Sequence, residues 1–178
     1  LAPKLAAYGD TIFLDPKLFA RVKSLYDRKA SLKLDAEQAM LVEEYYTNFV
    51  RAGAQLSAAD QTTLRDLNKQ ISMAGIAFRQ RLLAGTKAGA LGVDDPAKLA
   101  GMSPGEVQSA ARDAAERKLP GKYLLPLQNT TGQPALEALS DRATRKALFD
   151  QSWTRTQKGD ANDTRAAILQ LIALRTRK

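Results

Sequence analysis

Few side chains in this sequence can do chemistry, and each that can has a plainer duty open to it. Two carboxylate pairs come first, Glu43–Glu44 and Asp94–Asp95. Neighbouring carboxylates can pass a proton or hold a hard cation. Asp95, however, precedes Pro96, the arrangement of a helix cap and a first helical proline, and the alternating oxygen ligands of a calcium loop are missing. Glu43 and Glu44 fall on a helix surface, where solvated carboxylates are the ordinary case. Tyr45, Tyr46 and Trp153, interleaved with basic residues, have the chemistry to stack on nucleobases. The two tyrosines keep the spacing of a helical core stripe, which reads as packing. Trp153, beside Arg155, suits a contact between domains. A serine–lysine hydrolase would need a lysine such as Lys146 against a serine, and no spacing in the sequence places one there. The glycine pairs Gly85/Gly89 and Gly101/Gly105 lack the Gly-Lys-Ser/Thr ending or strand-to-helix setting of a phosphate-cradling loop.

What is missing decides more. The chain has no histidine and no cysteine. A zinc site built on imidazole or thiolate, a Ser-His-Asp triad and a Cys-His pair each lack a necessary part. Disulfides are excluded, which agrees with a cytoplasmic protein. There is no run of apolar residues long enough to cross a bilayer, so no membrane partner is expected. The 27 Lys and Arg against 19 Asp and Glu leave a formal charge of +8. Such a surplus can mark a nucleic-acid footprint. Here the basic residues are scattered along helices, with only Arg79-Gln-Arg81 and Arg175-Thr-Arg177-Lys178 grouped, so the expectation is solvated helix faces and no nucleic-acid partner.

These residues sit on elements the sequence marks clearly. The opening segment carries Leu1, Leu5 and Tyr8 on one helical face. Asp15 followed by Pro16 begins a helix with the stripe Leu18, Phe19, Val22, Leu25 and Tyr26. Asp35 with Gln38 forms a capping box before Leu41, Val42, Tyr45, Tyr46, Phe49 and Val50, expected to be the buried side. The two helices, joined by a short loop, should pack antiparallel. Ser57 with Asp60 starts the longest helix, expected to run to about Ala84 and to be about 40 Å long. Its seam is Leu64, Leu67, Ile71, Phe78 and Leu82, with Arg65, Asp66, Lys69, Arg79 and Arg81 outside. Then Leu91 and Val93 suggest a strand, and "KYLLPLQ" at 122–128 another, placed at an edge by Pro126. Ser103, Pro104 and Glu106 open a helix between them. "NTTGQP" at 129–134 is turn chemistry. Ser140 and Asp163 are the expected starts of the last two helices, the final one still periodic through Ile168, Leu171, Ile172 and Leu174. Its continuation is expected beyond Lys178, and the first residues look cut from something longer. The fold class is therefore mainly α: an antiparallel helical bundle with long helices and a small two-stranded β excursion at about 88–94 and 122–128, as a single domain over 1–178.

Several stretches, taken in order, resemble one family. "FVRAGAQLSAADQTTLRDLNKQIS" with "AFRQRLLAGT", preceded by "LAPKLAAYGDTIFLDPKLFARV" and followed by "GALGVDDPAKLAGMS", "GKYLLPLQNTTGQPAL" and "DRATRKALFDQSWTR", are similar to the amino-terminal helical region of the thimet-oligopeptidase-like zinc metallopeptidases (family M3), above all their bacterial peptidyl-dipeptidase branch. The resemblance implies a mostly helical ellipsoid split by a channel, and hydrolysis of short peptides, with dipeptides removed from the carboxyl end. It implies catalysis by a His-Glu-x-x-His helix, in which zinc polarises the carbonyl and the glutamate activates water. None of that motif is present in these residues. No catalytic, cofactor-binding or metal-binding residue is therefore carried over, and zinc is expected in the parent enzyme alone.

The leading expectation is a noncatalytic helical part of a metallopeptidase, inert by itself. It would form channel wall, restrict the size of peptide substrates, and have the rest of the parent chain as partner. Unpaired apolar faces would bias the isolated piece toward self-association. The alternatives are a helical module that binds nucleic acid or another acidic partner, and a free-standing helical adaptor using Trp153 and the terminal helix.

Overall fold

The computed structural model describes residues 1–128 and 132–178. Their chain divides into two compact units, Leu1–Ile76 with Leu169–Lys178, and Ala77–Ile168.

The first unit is helical throughout. It holds α1 (Ala2–Phe13), α2 (Pro16–Asp27), α3 (Ala36–Arg51), the first part of α4 (Ala58–Ala88) and most of α8 (Arg165–Arg177). Asp15 caps α2 by accepting the N–H groups of Lys17 and Leu18, and Pro16 takes the first turn. Asp35 and Gln38 close the expected capping box on α3. Ser57 Oγ accepts the Asp60 N–H at 3.1 Å and donates to its carboxylate at 2.7 Å. α2 and α3 are joined by aromatic packing. Phe19, early in α2, lies 6.0 Å from Phe49, late in α3, while Tyr26 stacks at 3.8 Å on Tyr46. Farther on, Lys29 reaches Glu43 at 2.7 Å. As one number rises the other falls, so the helices run antiparallel.

The stripe on α3 is wider than the surface that covers it. Phe49 is buried and Val42, Tyr46 and Val50 are half-buried, but Leu41 and Tyr45 are exposed, contrary to the buried side expected of all six. At 100° per residue, Leu41 and Tyr45 fall to one flank of the arc that meets α2. α3 then ends in a Schellman motif: the Gly53 N–H donates to Val50 O and the Ala54 N–H to Phe49 O, both at 3.0 Å, with Gly53 at φ +98°. Leu67 and Ala74 of α4 pack with Leu174 of α8, flanked by Ile71 and Leu171.

The second unit surrounds the two-stranded sheet. It contains the end of α4, β1 (Leu91–Val93), a 3-10 turn (Pro96–Leu99), α5 (Pro104–Glu116), β2 (Tyr123–Leu125), α6 (Ala135–Ala138), α7 (Arg142–Thr154) and the start of α8. The strands pair antiparallel, Leu91 with Leu125 and Val93 with Tyr123. The β excursion is thus where it was expected but shorter, and Pro126 stands just past β2, where its missing N–H costs no ladder bond. Val93, Leu99, Ala110, Leu125, Leu127, Leu139 and Leu148 form the core.

Three local expectations change here. α4 continues a turn past Ala84, to Ala88. Gly85 within it and Gly89 just after it are packing positions: a β-carbon on Gly85 would lie 2.8 Å from the Arg155 carbonyl oxygen, and one on Gly89 2.7 Å from Leu127 Cδ1. Close approach, which only a bare helix surface allows, outweighs poor helix propensity. α7 is capped by Asp141, which accepts the Thr144 N–H at 2.7 Å, and not by Ser140. The Ser140 N–H instead donates to the Ala100 carbonyl at 2.7 Å. α8 begins at Arg165, one residue later than a cap at Asp163 would give, though the Asp163 carboxylate still accepts the Arg165 N–H at 3.0 Å. Of the turn expected at 129–134, residues 129–131 lie outside the described residues.

Candidate functional site

The carboxylate pairs are divided between structural tasks. Asp95 caps the 3-10 turn through the Ala97 N–H at 2.9 Å. Asp94 meets Lys122 at 3.0 Å in an exposed ion pair, a contact of little energy. Glu43 is held by Lys29, whose ammonium also lies 4.6 Å over the Tyr26 ring, and Glu44 is exposed. Tyr46 is spent on the stacks with Tyr26 and Phe19. Trp153 is 68% exposed and stacks on Phe149 at 5.8 Å, one turn back on α7. Lys146 pairs with Asp150 in the same helix, not with a serine.

The most perturbed carboxylate is Asp163. The Arg165 guanidinium and backbone N–H, with the Gly159 N–H, hold its proton affinity far below the usual carboxylate range. Those partners fix the chain ahead of α8 and leave a poor proton acceptor. Glu106 is likewise lowered, because it accepts the hydroxyl and the N–H of Ser103. It lines a cleft of about 210 Å³ between α5 and the segment after β2, together with Ser109 and Asp113. A carboxylate stabilised as the anion at a helix start is a cap, not a general base.

A larger cleft, about 700 Å³, lies in the first unit between α1 and α4. Lys4, Arg65 and Lys69 line it beside Asp10 and Asp66. Asp10 accepts from Asn68 at 2.8 Å and Asp66 accepts from Gln70, while the three cations form no ion pair among the described residues. Sequence spacing brings Arg65 and Lys69 onto one face of α4, but nothing local foretells Lys4. All five charged residues expected outside the α4 seam, Arg65, Asp66, Lys69, Arg79 and Arg81, are exposed.

Among the described residues no three His, Cys, Asp or Glu side chains converge as a metal would require. No described helix is long and apolar enough to cross a membrane. Among the described residues, the hydroxyls that meet a carboxylate, Ser57 with Asp60, Ser103 with Glu106 and Thr144 with Asp141, all do so at helix starts, where the contact is a cap.

No protein-family model matches the chain. Individual relatives do. A dipeptidyl carboxypeptidase of Escherichia coli is 48% identical over 175 residues, 98% of this chain and 26% of that protein. The protein of the same name in Salmonella typhimurium is 48% identical over 172 residues, 97% of this chain and 25% of its own length. Oligopeptidase A of Salmonella typhimurium is 24% identical over 177 residues, again across 97% of this chain and 26% of the relative. The chain therefore spans about a quarter of the length of the curated relatives it matches.

Proposed function

We propose, proceeding from a chain that belongs to the thimet-oligopeptidase-like peptidases of family M3, that these residues are the noncatalytic helical part of a longer zinc-dependent peptidyl-dipeptidase. The observation that carries the reading is 48% identity sustained over 98% of the chain to a dipeptidyl carboxypeptidase. The whole enzyme would remove dipeptides from the carboxyl end of short peptides in the cytoplasm. The residues in hand do not fit a zinc ion: histidine and cysteine are absent from the sequence, and no acidic cluster replaces them among the described residues. The metal and the water it activates would belong to residues outside these 178, and no hydrolytic step is assigned to this part.

Its task would be steric. α4 has 31 residues and so a length of about 46 Å, long enough to form one wall of a passage. A helix pinned along Leu67 and Ala74, with Arg65, Lys69, Arg79 and Arg81 all exposed along its length, would not yield to a folded substrate. The remainder of the peptidase chain would be its principal partner. Exposed apolar residues suit that role, among them Leu5 on α1, Trp153 on α7 and Leu169 and Ile172 on α8. Left bare, the same faces would promote self-association of the isolated chain.

The test is to express the complete reading frame that encodes these residues and to measure dipeptide release before and after chelation. The reading frame should contain His-Glu-x-x-His downstream, and release should stop with the metal removed. A complete protein that releases no dipeptide would end this assignment. For the wall role, alanine at Arg65, Lys69, Arg79 and Arg81 in the complete enzyme should change the longest peptide accepted and leave turnover of the shortest unchanged. An unaltered length limit would remove α4 from the wall.

A further inference from the structure

One positive charge is left over in the cleft between α1 and α4. Its lining on α1 runs from Pro3 to Thr11, a trough about 12 Å long, and on α4 it includes Arg65, Asp66 and Lys69. Most of that wall is hydrocarbon, supplied by Pro3, Ala7 and the stems of the long side chains. Asn68 Nδ2 donates to Asp10 Oδ1 at 2.8 Å and so ties the two helices beside the cleft. Arg65 and Lys69 stand one turn apart on α4, and Lys4 lines the other wall from α1. None of the three forms an ion pair among the described residues. The two carboxylates of the lining are engaged by neutral groups, Asp10 by the Asn68 amide and Asp66 by the Gln70 amide. Three cations against two carboxylates give the excess of one.

We propose that this cleft binds an apolar monoanion, a single carboxylate on a hydrocarbon body, with the head group among Lys4, Arg65 and Lys69 and the body along Pro3 and Ala7. Sites for small ligands are concave and mostly apolar with a few convergent polar groups, and this cleft of about 700 Å³ has that composition. The Arg65 guanidinium can take a carboxylate through two parallel N–H···O bonds, while the lysines add point charges from either wall. Charge complementarity selects the occupant. A polyanion would bring further negative charge against Asp10 and Asp66, and a cation would meet three groups of its own sign. A neutral apolar molecule gains burial alone and leaves the cations unused. A small hydrophilic anion gains only ion pairs with exposed side chains, which are worth little. A carboxylate carried on hydrocarbon uses both features of the lining. Fatty acids and the free carboxyl ends of apolar peptides share this chemistry. Binding here is distinct from hydrolysis and does not depend on the peptidase assignment.

The experiment is an amide NMR titration of the chain with sodium octanoate, beside octanol, acetate, and acetyl-leucyl-leucine with its carboxyl group free. Octanoate should give saturable shifts centred on residues 3–11 and 65–69, and its affinity should fall as salt is added. Octanol and acetate, each lacking one half of the ligand, should bind about tenfold more weakly or less tightly still. Lys4→Gln and Arg65→Gln, both at exposed positions, should each weaken octanoate about threefold to fivefold with the thermal midpoint unchanged. Lys17→Gln, which removes an exposed cation of α2 outside the lining, should leave the affinity as it is. Tighter binding of octanoate than of the dipeptide assigns the cleft to fatty acids, and the reverse assigns it to peptide ends; both results uphold the site. Octanol binding as tightly as octanoate, equal weakening by Lys17→Gln, shifts elsewhere only, or no shift at millimolar octanoate would overturn the proposal.

Discussion

Gly53 and Leu64 meet so closely that a β-carbon on Gly53 would lie 2.6 Å from Leu64 Cδ2. The same glycine sits at φ +98° to close α3. Gly53→Ala therefore forces both a strained backbone and an overfilled contact, and should cost about 2–4 kcal/mol in urea denaturation. A loss below about 0.5 kcal/mol would show that the α3–α4 turn relaxes freely, against its role as a fixed corner.

Lys118 closes α5 with the same motif but without the suitable residue. Its N–H donates to Ala115 O and the Leu119 N–H to Ala114 O, both at 2.9 Å, at φ 60°. Lys118→Gly should raise stability by about 1 kcal/mol, since only the side chain opposes that conformation. A lower denaturation midpoint would mean that Lys118 makes a contact worth more than the strain.

Leu148, 1% exposed in the core of the second unit, tests whether residues 1–178 unfold as the single domain proposed for them. Leu148→Ala should cost about 3–4 kcal/mol. Trp153 fluorescence reports the second unit and near-ultraviolet dichroism of the Tyr26–Tyr46 stack the first. One domain requires both signals to move together in the variant; a tyrosine transition that stays in place would divide the chain into independently folding halves.

Acid should weaken the fold partly through Asp163. Its folded-state proton affinity is depressed by Arg165, so its contribution is present above the unfolded value of about 3.9 and is lost as pH falls through the folded one. Comparing wild type with Asp163→Asn, the stability difference should be constant from pH 7 to pH 5, shrink steadily below about pH 4 and be clearly reduced, though not gone, at pH 2. A difference that persists undiminished at pH 2 would show that the ion pair is not its source.

Much of this was legible because it is local. Asp15–Pro16, Asp35 with Gln38, and Ser103 with Glu106 are caps whose partners lie within three residues, and each makes the expected bonds. The misses are nonlocal or finely balanced. Ser140 and Asp141 are both good caps, and the demand of the Ala100 carbonyl on the Ser140 N–H goes with the choice of Asp141. Gly85 looked like an end to α4 because its neighbour, Arg155, is seventy residues away in sequence. Leu41 and Tyr45 have core spacing, yet only the width of the α2 contact determines that they stay outside. That β1 pairs with β2 alone among the described residues could not be read at all, since spacing shows that a strand exists but not which of its sides is paired.

The central claim is that this helical chain, though kin to dipeptide-releasing peptidases, holds none of their reactive groups. The decisive measurement sets the isolated 178-residue chain, with zinc supplied, beside the complete reading frame on one short peptide with a free carboxyl end, following dipeptide release by mass spectrometry. The account predicts no release from the chain and chelator-sensitive release from the complete protein. Dipeptide appearing with the chain alone, at a rate proportional to its concentration and unaffected by peptidase inhibitors aimed at contaminants, would contradict it.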